Sequence, residues 1–138
     1  MKKVSLILIC LLTAVLCCAA TYNVRDYGAK GDGKCLDSKY INIAIAKAEE
    51  QGGGTVILPA GTYLCGSIHL DNNIEVRLEA GARIVATADR AAYDESEVFD
   101  GPQYQDGGHT FFHNSLIWAD GKVNVAVTGR GIIDGSAL

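Results

Sequence analysis

Asn72-Asn-Ile-Glu-Val-Arg-Leu-Glu-Ala-Gly-Ala82 and, further along, Lys122-Val-Asn-Val-Ala-Val-Thr-Gly-Arg-Gly131 share one plan: a strand, a tight corner of small residues, then another strand. In the first stretch Ile74, Val76 and Leu78 alternate with Glu75 and Arg77, which puts the apolar side chains on one face and the charges on the other. After the corners, Ala82-Arg-Ile-Val-Ala86 and Gly131-Ile-Ile-Asp134 take up the strand pattern again. Repetition of this unit signals a solenoid, in which inward residues of successive coils stack into one elongated core.

Working back towards the N-terminus, Thr55-Val-Ile-Leu58 and Ser67-Ile-His-Leu70 are further short strands, with turn chemistry between them and no helix. Before them, Ile41, Ala44, Ile45 and Ala48 recur at helical spacing after Asp37-Ser38, which is predicted to be the N-cap, and the helix ends at Gly52-Gly-Gly54. Its apolar face is narrow and alanine-rich and suits a flat surface. A solenoid must cover the unpaired strand edges at its open end, and this helix is a natural plug for it. Tyr22-Asn-Val-Arg-Asp-Tyr27 alternates like a short strand, and Gly28-Ala-Lys-Gly-Asp-Gly33 reads as a turn-rich loop. A phosphate-binding loop is a poor reading of it, because no Lys-Ser/Thr pair follows the last glycine.

Working forward, residues 87–114 break the rhythm with Asp, Glu, Gln, Gly and scattered aromatics, as an insertion loop would. Strands then resume at Leu116-Ile-Trp-Ala119 and Val123-Asn-Val-Ala-Val127. The chain ends just past a coil corner with no polar cap over its last coil, so the solenoid is expected to be incomplete at its C-terminus.

Residues 1–20 are read separately. Lys2 and Lys3, the apolar run Val4–Leu16, and small residues at Ala19 and Ala20 form a secretory signal pattern, and the run is too short to span a bilayer. The protein is therefore expected to be secreted or periplasmic and free of the membrane after cleavage. The residues before Cys17 and Cys18 suit soluble export better than a lipid anchor. A net charge of -4 with no basic cluster argues against a nucleic-acid partner. Cys35 and Cys65 are the only cysteines beyond the signal segment; a disulfide between them is open, with two unpaired thiols the preferred reading.

The motifs Tyr22-Asn-Val-Arg-Asp-Tyr-Gly-Ala-Lys-Gly-Asp-Gly33, Gly52-Gly-Gly-Thr-Val-Ile-Leu-Pro-Ala-Gly-Thr-Tyr63, Leu78-Glu-Ala-Gly-Ala82 and Gly129-Arg-Gly-Ile-Ile-Asp-Gly135 resemble the N-terminal coils of glycoside hydrolase family 28, the polygalacturonases and rhamnogalacturonases. The resemblance implies an all-β, right-handed parallel β-helix whose first coils follow a capping α-helix, in a protein that is monomeric at full length. It also implies inverting hydrolysis of a galacturonan-type polysaccharide by carboxyls spaced to admit a water, without cofactor or metal. The family's Asn-Thr-Asp, Asp-Asp, Gly-His-Gly and Arg-Ile-Lys motifs are all absent here, so no catalytic residue can be assigned. A pectate lyase or a non-catalytic polysaccharide-binding or scaffold module are the alternatives.

Candidate substrate-binding residues are Tyr104, Asp106 and His109 in the insertion loop, with Asp100, Tyr93 and Trp118 as further sugar contacts, since aromatic faces stack on sugars and carboxylates accept hydroxyl protons. The competing reading has Phe111, Phe112 and Trp118 packing the loop onto the coil. His109 and His113 could chelate a metal only on a helix, and the glycines before them argue for strand or loop. Asp134 is expected to bond its own turn, and Arg77 and Lys122 to be solvated.

Overall fold

The computed structural model describes residues 20–97 and 113–138. Its strands are β1 Thr21–Asn23, β2 Asp32–Leu36, β3 Gly54–Leu58, β4 Gly61–Cys65, β5 Ile68–His69, β6 Ile74–Leu78, β7 Ala82–Ala86, β8 Ile117–Trp118, β9 Ala126–Gly129 and β10 Ile132–Asp134, with one α-helix, α1, at Ser38–Glu50. All pair in parallel, in three sheets ordered β1-β3-β6-β9, β2-β4-β7-β10 and β5-β8. The chain visits the sheets in rotation, which is the solenoid expected from the repeats and the right-handed parallel β-helix that the family resemblance implied.

Alternation determines what lies inside. Val56 pairs with Val76 and Val76 with Val127, Tyr63 pairs with Ile84 and Ile84 with Ile133, so like positions of successive coils stack towards the axis. Val56, Tyr63, Ile68, Ile74, Val76 and Ile84 are essentially fully buried. At about 1.5–3 kcal/mol for each large apolar side chain, this column dominates the fold's stability.

The helix covers the first coil with Ile41, Ala44, Ile45 and Ala48, all buried. It also finishes the third sheet, where no earlier strand pairs with β5: Asn42 Nδ2 donates to the Ser67 carbonyl at 3.0 Å, and the His69 N–H donates to Asn42 Oδ1 at 3.0 Å. One side-chain amide thus stands in for a strand edge.

Asp37 stands at the N-cap position as expected, its carbonyl accepting the Tyr40 and Ile41 N–H groups, but its side chain does not cap the helix. Its backbone is already helical (φ -98°, ψ -13°) and its side chain makes no cap bond, because a cap needs an extended residue there. The carboxylate instead turns into the core, where it is fully buried and accepts the N–H groups of Lys30 at 2.7 Å and Gly31 at 2.9 Å. The glycine loop is therefore moulded around Asp37, and its second half is strand β2.

Three further boundaries differ from expectation. Tyr22–Tyr27 is a strand only to Asn23, whose side chain accepts the Arg25 N–H and starts a 3-10 turn at Val24–Tyr27. Gly61–Cys65, read as turn chemistry because of its flanking Pro59, Gly61 and Gly66, is strand β4, with Tyr63 pointing inward and its hydroxyl donating to the Pro59 carbonyl at 2.8 Å. The repeat also runs one residue later than Asn72 over Lys122: Asn73 lies over Asn124, both with φ 57°, and Asn124 Nδ2 donates to Asn73 Oδ1. The second corner is shorter than the first and works only without side chains, since a Cβ on Gly129 would come within 2.0 Å of the Leu78 carbonyl oxygen and one on Gly131 within 2.5 Å of Leu78 Cβ. Cys35 and Cys65 are free thiols; burial, then the Asp37 charge, pushes Cys65 up to about 12.

Candidate functional site

The third sheet carries the densest group of chemically capable side chains among the described residues. Because Ile68 faces the core, the two-residue period turns His69 outward, and the pairing of His69 with Trp118 places an imidazole beside an indole on neighbouring coils. Their ring centroids are 4.9 Å apart. Between them sits Asp94 from the insertion loop: its Oδ2 accepts from His69 Nε2 at 2.6 Å and from Trp118 Nε1 at 2.8 Å. Partial burial opposes the charge of Asp94, but the Trp118 and His69 bonds together outweigh it and hold the carboxyl below its usual range.

Backbone and hydroxyl bonds set Asp94 in place. Its N–H donates to Ser67 Oγ at 3.0 Å, its carbonyl accepts from Asn114 Nδ2 at 2.9 Å, and Ser67 Oγ donates to the Ser115 carbonyl at 2.8 Å. Tyr93 supports the same limb by donating its hydroxyl to the Thr87 carbonyl at 2.7 Å. Both limbs of the loop, residues 87–97 and 113–116, are in this way fastened to the third sheet and to each other.

On the outer side, His113 stacks on Trp118 with centroids 4.1 Å apart and planes 24° from parallel. The His113 N–H donates to Glu97 Oε2 at 3.0 Å, while its ring nitrogens lie 3.9 Å from Glu97 and 3.7 Å from Asp120. Glu97, His113, Trp118, Ala119 and Asp120 line a recess of about 320 Å³. Such a recess has an aromatic floor and hydroxyl-accepting walls. No three His, Cys, Asp or Glu side chains among the described residues are placed to hold a metal ion.

Residues 21–137 match the family of rhamnogalacturonase A and epimerase, pectate lyase-like. The chain belongs to this family. A probable polygalacturonase of Vitis vinifera is 29% identical over 129 residues, 89% of this chain and 26% of its own. The structure of a Yersinia enterocolitica family 28 exopolygalacturonase superposes with a TM-score of 0.69 at 32% identity, over 85% of this chain and 21% of that one. Alginate lyase 7 of Azotobacter vinelandii is 60% identical over only 42 residues, 30% of this chain and 5% of its own. The chain thus spans about a quarter of the length of the polygalacturonases it matches. The resemblance to the polygalacturonases is borne out over nearly everything after residue 20.

Within this pectate-lyase-like chain, Tyr104, Asp106 and His109, with Asp100, Phe111 and Phe112, lie outside the described residues. Of the aromatics offered as sugar contacts, Tyr93 is engaged by its hydroxyl with Thr87 at the base of its own loop limb, and Trp118 binds Asp94 and is stacked by His113, so it fastens the loop to the coil. His69, Asp94, Glu97 and Asp120 were not singled out from sequence. His69 carried a usable signal, its outward place in a strand whose coil-equivalent residue is the chain's only tryptophan. Asp94 carried none, being one acid among several in the loop.

The outward Arg77 and Lys122 are exposed, as expected, and each is also ion-paired, Arg77 on its own strand and Lys122 with the preceding coil. Arg77 binds Glu75, whose carboxylate also accepts the hydroxyls of Thr128 and Thr55; these bonds, Thr128 first, lower Glu75 to about 2. Lys122 pairs with Asp71 at 2.8 Å. Asp134 accepts the Ser136 N–H in its own turn, as expected, and also binds Arg83 on the preceding coil, which is the main reason its carboxyl lies far below the usual range.

Proposed function

We propose that this chain forms the first coils of an exported, monomeric glycoside hydrolase acting on pectin-type polysaccharide, with catalytic carboxylates on coils beyond it. The observation that carries the reading is the polygalacturonase likeness across most of the chain, in sequence and in coil geometry together. Export is supported by the Lys2-Lys3 pair and the apolar run behind it. Catalysis on other coils is supported by the absence of the polygalacturonase acid motifs from all 138 residues, in a chain that matches about a quarter of those enzymes. In this reading, α1 closes the stack and the clamp around Asp94 sets the loop beside the coils.

The test compares the 138-residue chain with the longest protein that contains it, each incubated with polygalacturonate. Release of new reducing ends by the longer protein alone is the expected result. An unsaturated uronate product would replace hydrolysis with β-elimination, the reading that the short alginate lyase match favours. Polysaccharide binding without any product would make the protein a non-catalytic module.

A further inference from the structure

We infer that the exported protein begins at Ala20: the leader is cut between Ala19 and Ala20, and Ala20 belongs to the first coil. The inference rests on the proposed export and says where its processing site lies, one residue before the end of the segment 1–20 that sequence composition marks off.

Ala20 is built into the first sheet. Its carbonyl accepts the Thr55 N–H at 2.9 Å, one step ahead of the pairs Thr21↔Thr55, Tyr22↔Val56 and Asn23↔Ile57, so the parallel ladder between β1 and β3 starts on this residue. Thr55 is only 4% exposed, and an N–H placed there needs an acceptor. The residue before it makes room for the same carbonyl: a Cβ on Gly54 would come within 2.5 Å of the Ala20 oxygen and 2.9 Å of the Tyr22 ring, so β1 can lie this close only against a glycine. A cut after Ala20 would remove the carbonyl and leave the α-ammonium of Thr21 near its place. An ammonium is charged at neutral pH and carries donors only, so the Thr55 N–H would face a cation in place of an acceptor.

The residues around the bond permit this cut. A leader peptidase selects small side chains just before the scissile bond and two positions further back. A cut after Ala19 puts Ala19 and Cys17 there, whereas a cut after Cys18 would need Leu16 and one after Cys17 would need Val15, both branched. A cut after Ala20 meets the same rule through Ala20 and Cys18. Residue size thus leaves two bonds open, and the ladder chooses between them: a chain that began at Thr21 would fold with its first bond to β3 missing.

The longest protein that contains the chain is expressed with its leader in an exporting bacterial host, and the exported product is read by N-terminal sequencing and intact mass. A first residue of Ala20 with no added mass is the expected result. A start at Thr21 or at any other residue, or a lipid mass on Cys17 or Cys18, overturns the inference. Two leader variants give a readout that does not require the product to fold. Ala19→Leu is expected to leave the precursor largely uncut, and Cys18→Leu to be cut as before, because residue 18 then holds the tolerant middle position. The reverse pattern, with Cys18→Leu blocked and Ala19→Leu processed, puts the cut after Ala20 and also overturns it. Compared with the same protein begun at Thr21, the Ala20 product is expected to protect the Thr55 amide at least about tenfold more in hydrogen exchange; equal protection removes the reason for the choice and overturns it as well. If the protein is exported with another N-terminus, this inference fails and the proposed export stands; if the leader is kept and the protein stays in the cytoplasm, both fail.

Discussion

Val76 and Val127 hold the same register position in successive coils, as do Ile84 and Ile133, yet the first of each pair is buried (1% and 0% exposed) while the second is 40% and 48% exposed. Residue type and local conformation do not distinguish them. At the helix-covered side, α1 lies over the first coil and the next coil follows, so an inward side chain has neighbours above and below; in the last described coil the same side chain has a neighbour on one side only. In a solenoid, burial is a property of the stack, and an apolar inward position is worth as much as the coils next to it.

The sharpest way to break this comparison is a pair of truncations. Ile84→Ala is expected to cost about 2–5 kcal/mol, since it opens a cavity between two coils, and Ile133→Ala under about 1 kcal/mol. Urea melts of the two variants decide it, and equal costs would mean that the last coil is covered in solution. Next in size is Asp37→Ala at the covered end, expected to cost about 2–3 kcal/mol because the Lys30 and Gly31 N–H groups lose a buried acceptor. A loss nearer 1 kcal/mol, with fraying confined to the first turn of α1, would be the signature of an ordinary cap instead.

Asn42→Ala removes the amide that finishes the third sheet, and about 1 kcal/mol is expected, with faster hydrogen exchange at His69 as the local readout. The smallest effect concerns the outward pairs. Glu75 and Asp94 both have folded-state carboxyls below their ordinary range, so their contribution is complete above that range and is lost as pH falls through it, towards about 2 for Glu75. Acid titration followed by Trp118 emission separates the two: Glu75→Gln leaves the emission profile unchanged, whereas Asp94→Asn shifts it at neutral pH.

Much of this fold was legible because β-helix coils write their period directly into the chain. Ile74–Leu78 and Ala82–Ala86 alternate cleanly and match their strands residue for residue. β4 was lost among glycines and proline, whose turn propensity is overridden when a neighbouring strand pairs with them. The register slip that puts Asn73 over Asn124 arose because similar small and polar residues lie on either side of the corner, and only pairing chooses between them. The candidate site was legible only as a loop of suspicious composition, since the residues that build it come from β5, β8 and both limbs of residues 87–116.

By itself the sequence determined the alternation of inward and outward side chains, the helix before the coils, the repeat and the family, because each depends on neighbours close along the chain. Tertiary structure alone decided that the Asp37 carboxylate serves the glycine loop rather than the helix, that Asn42 completes a sheet, and that His69, Asp94 and Trp118 form one clamp. The last two roles depend on which coil lies against which, and contacts between residues 24 or more apart leave no local pattern to read; Asp37 lies only 6 and 7 residues from its partners, but a buried carboxylate folded back on a loop follows no periodicity.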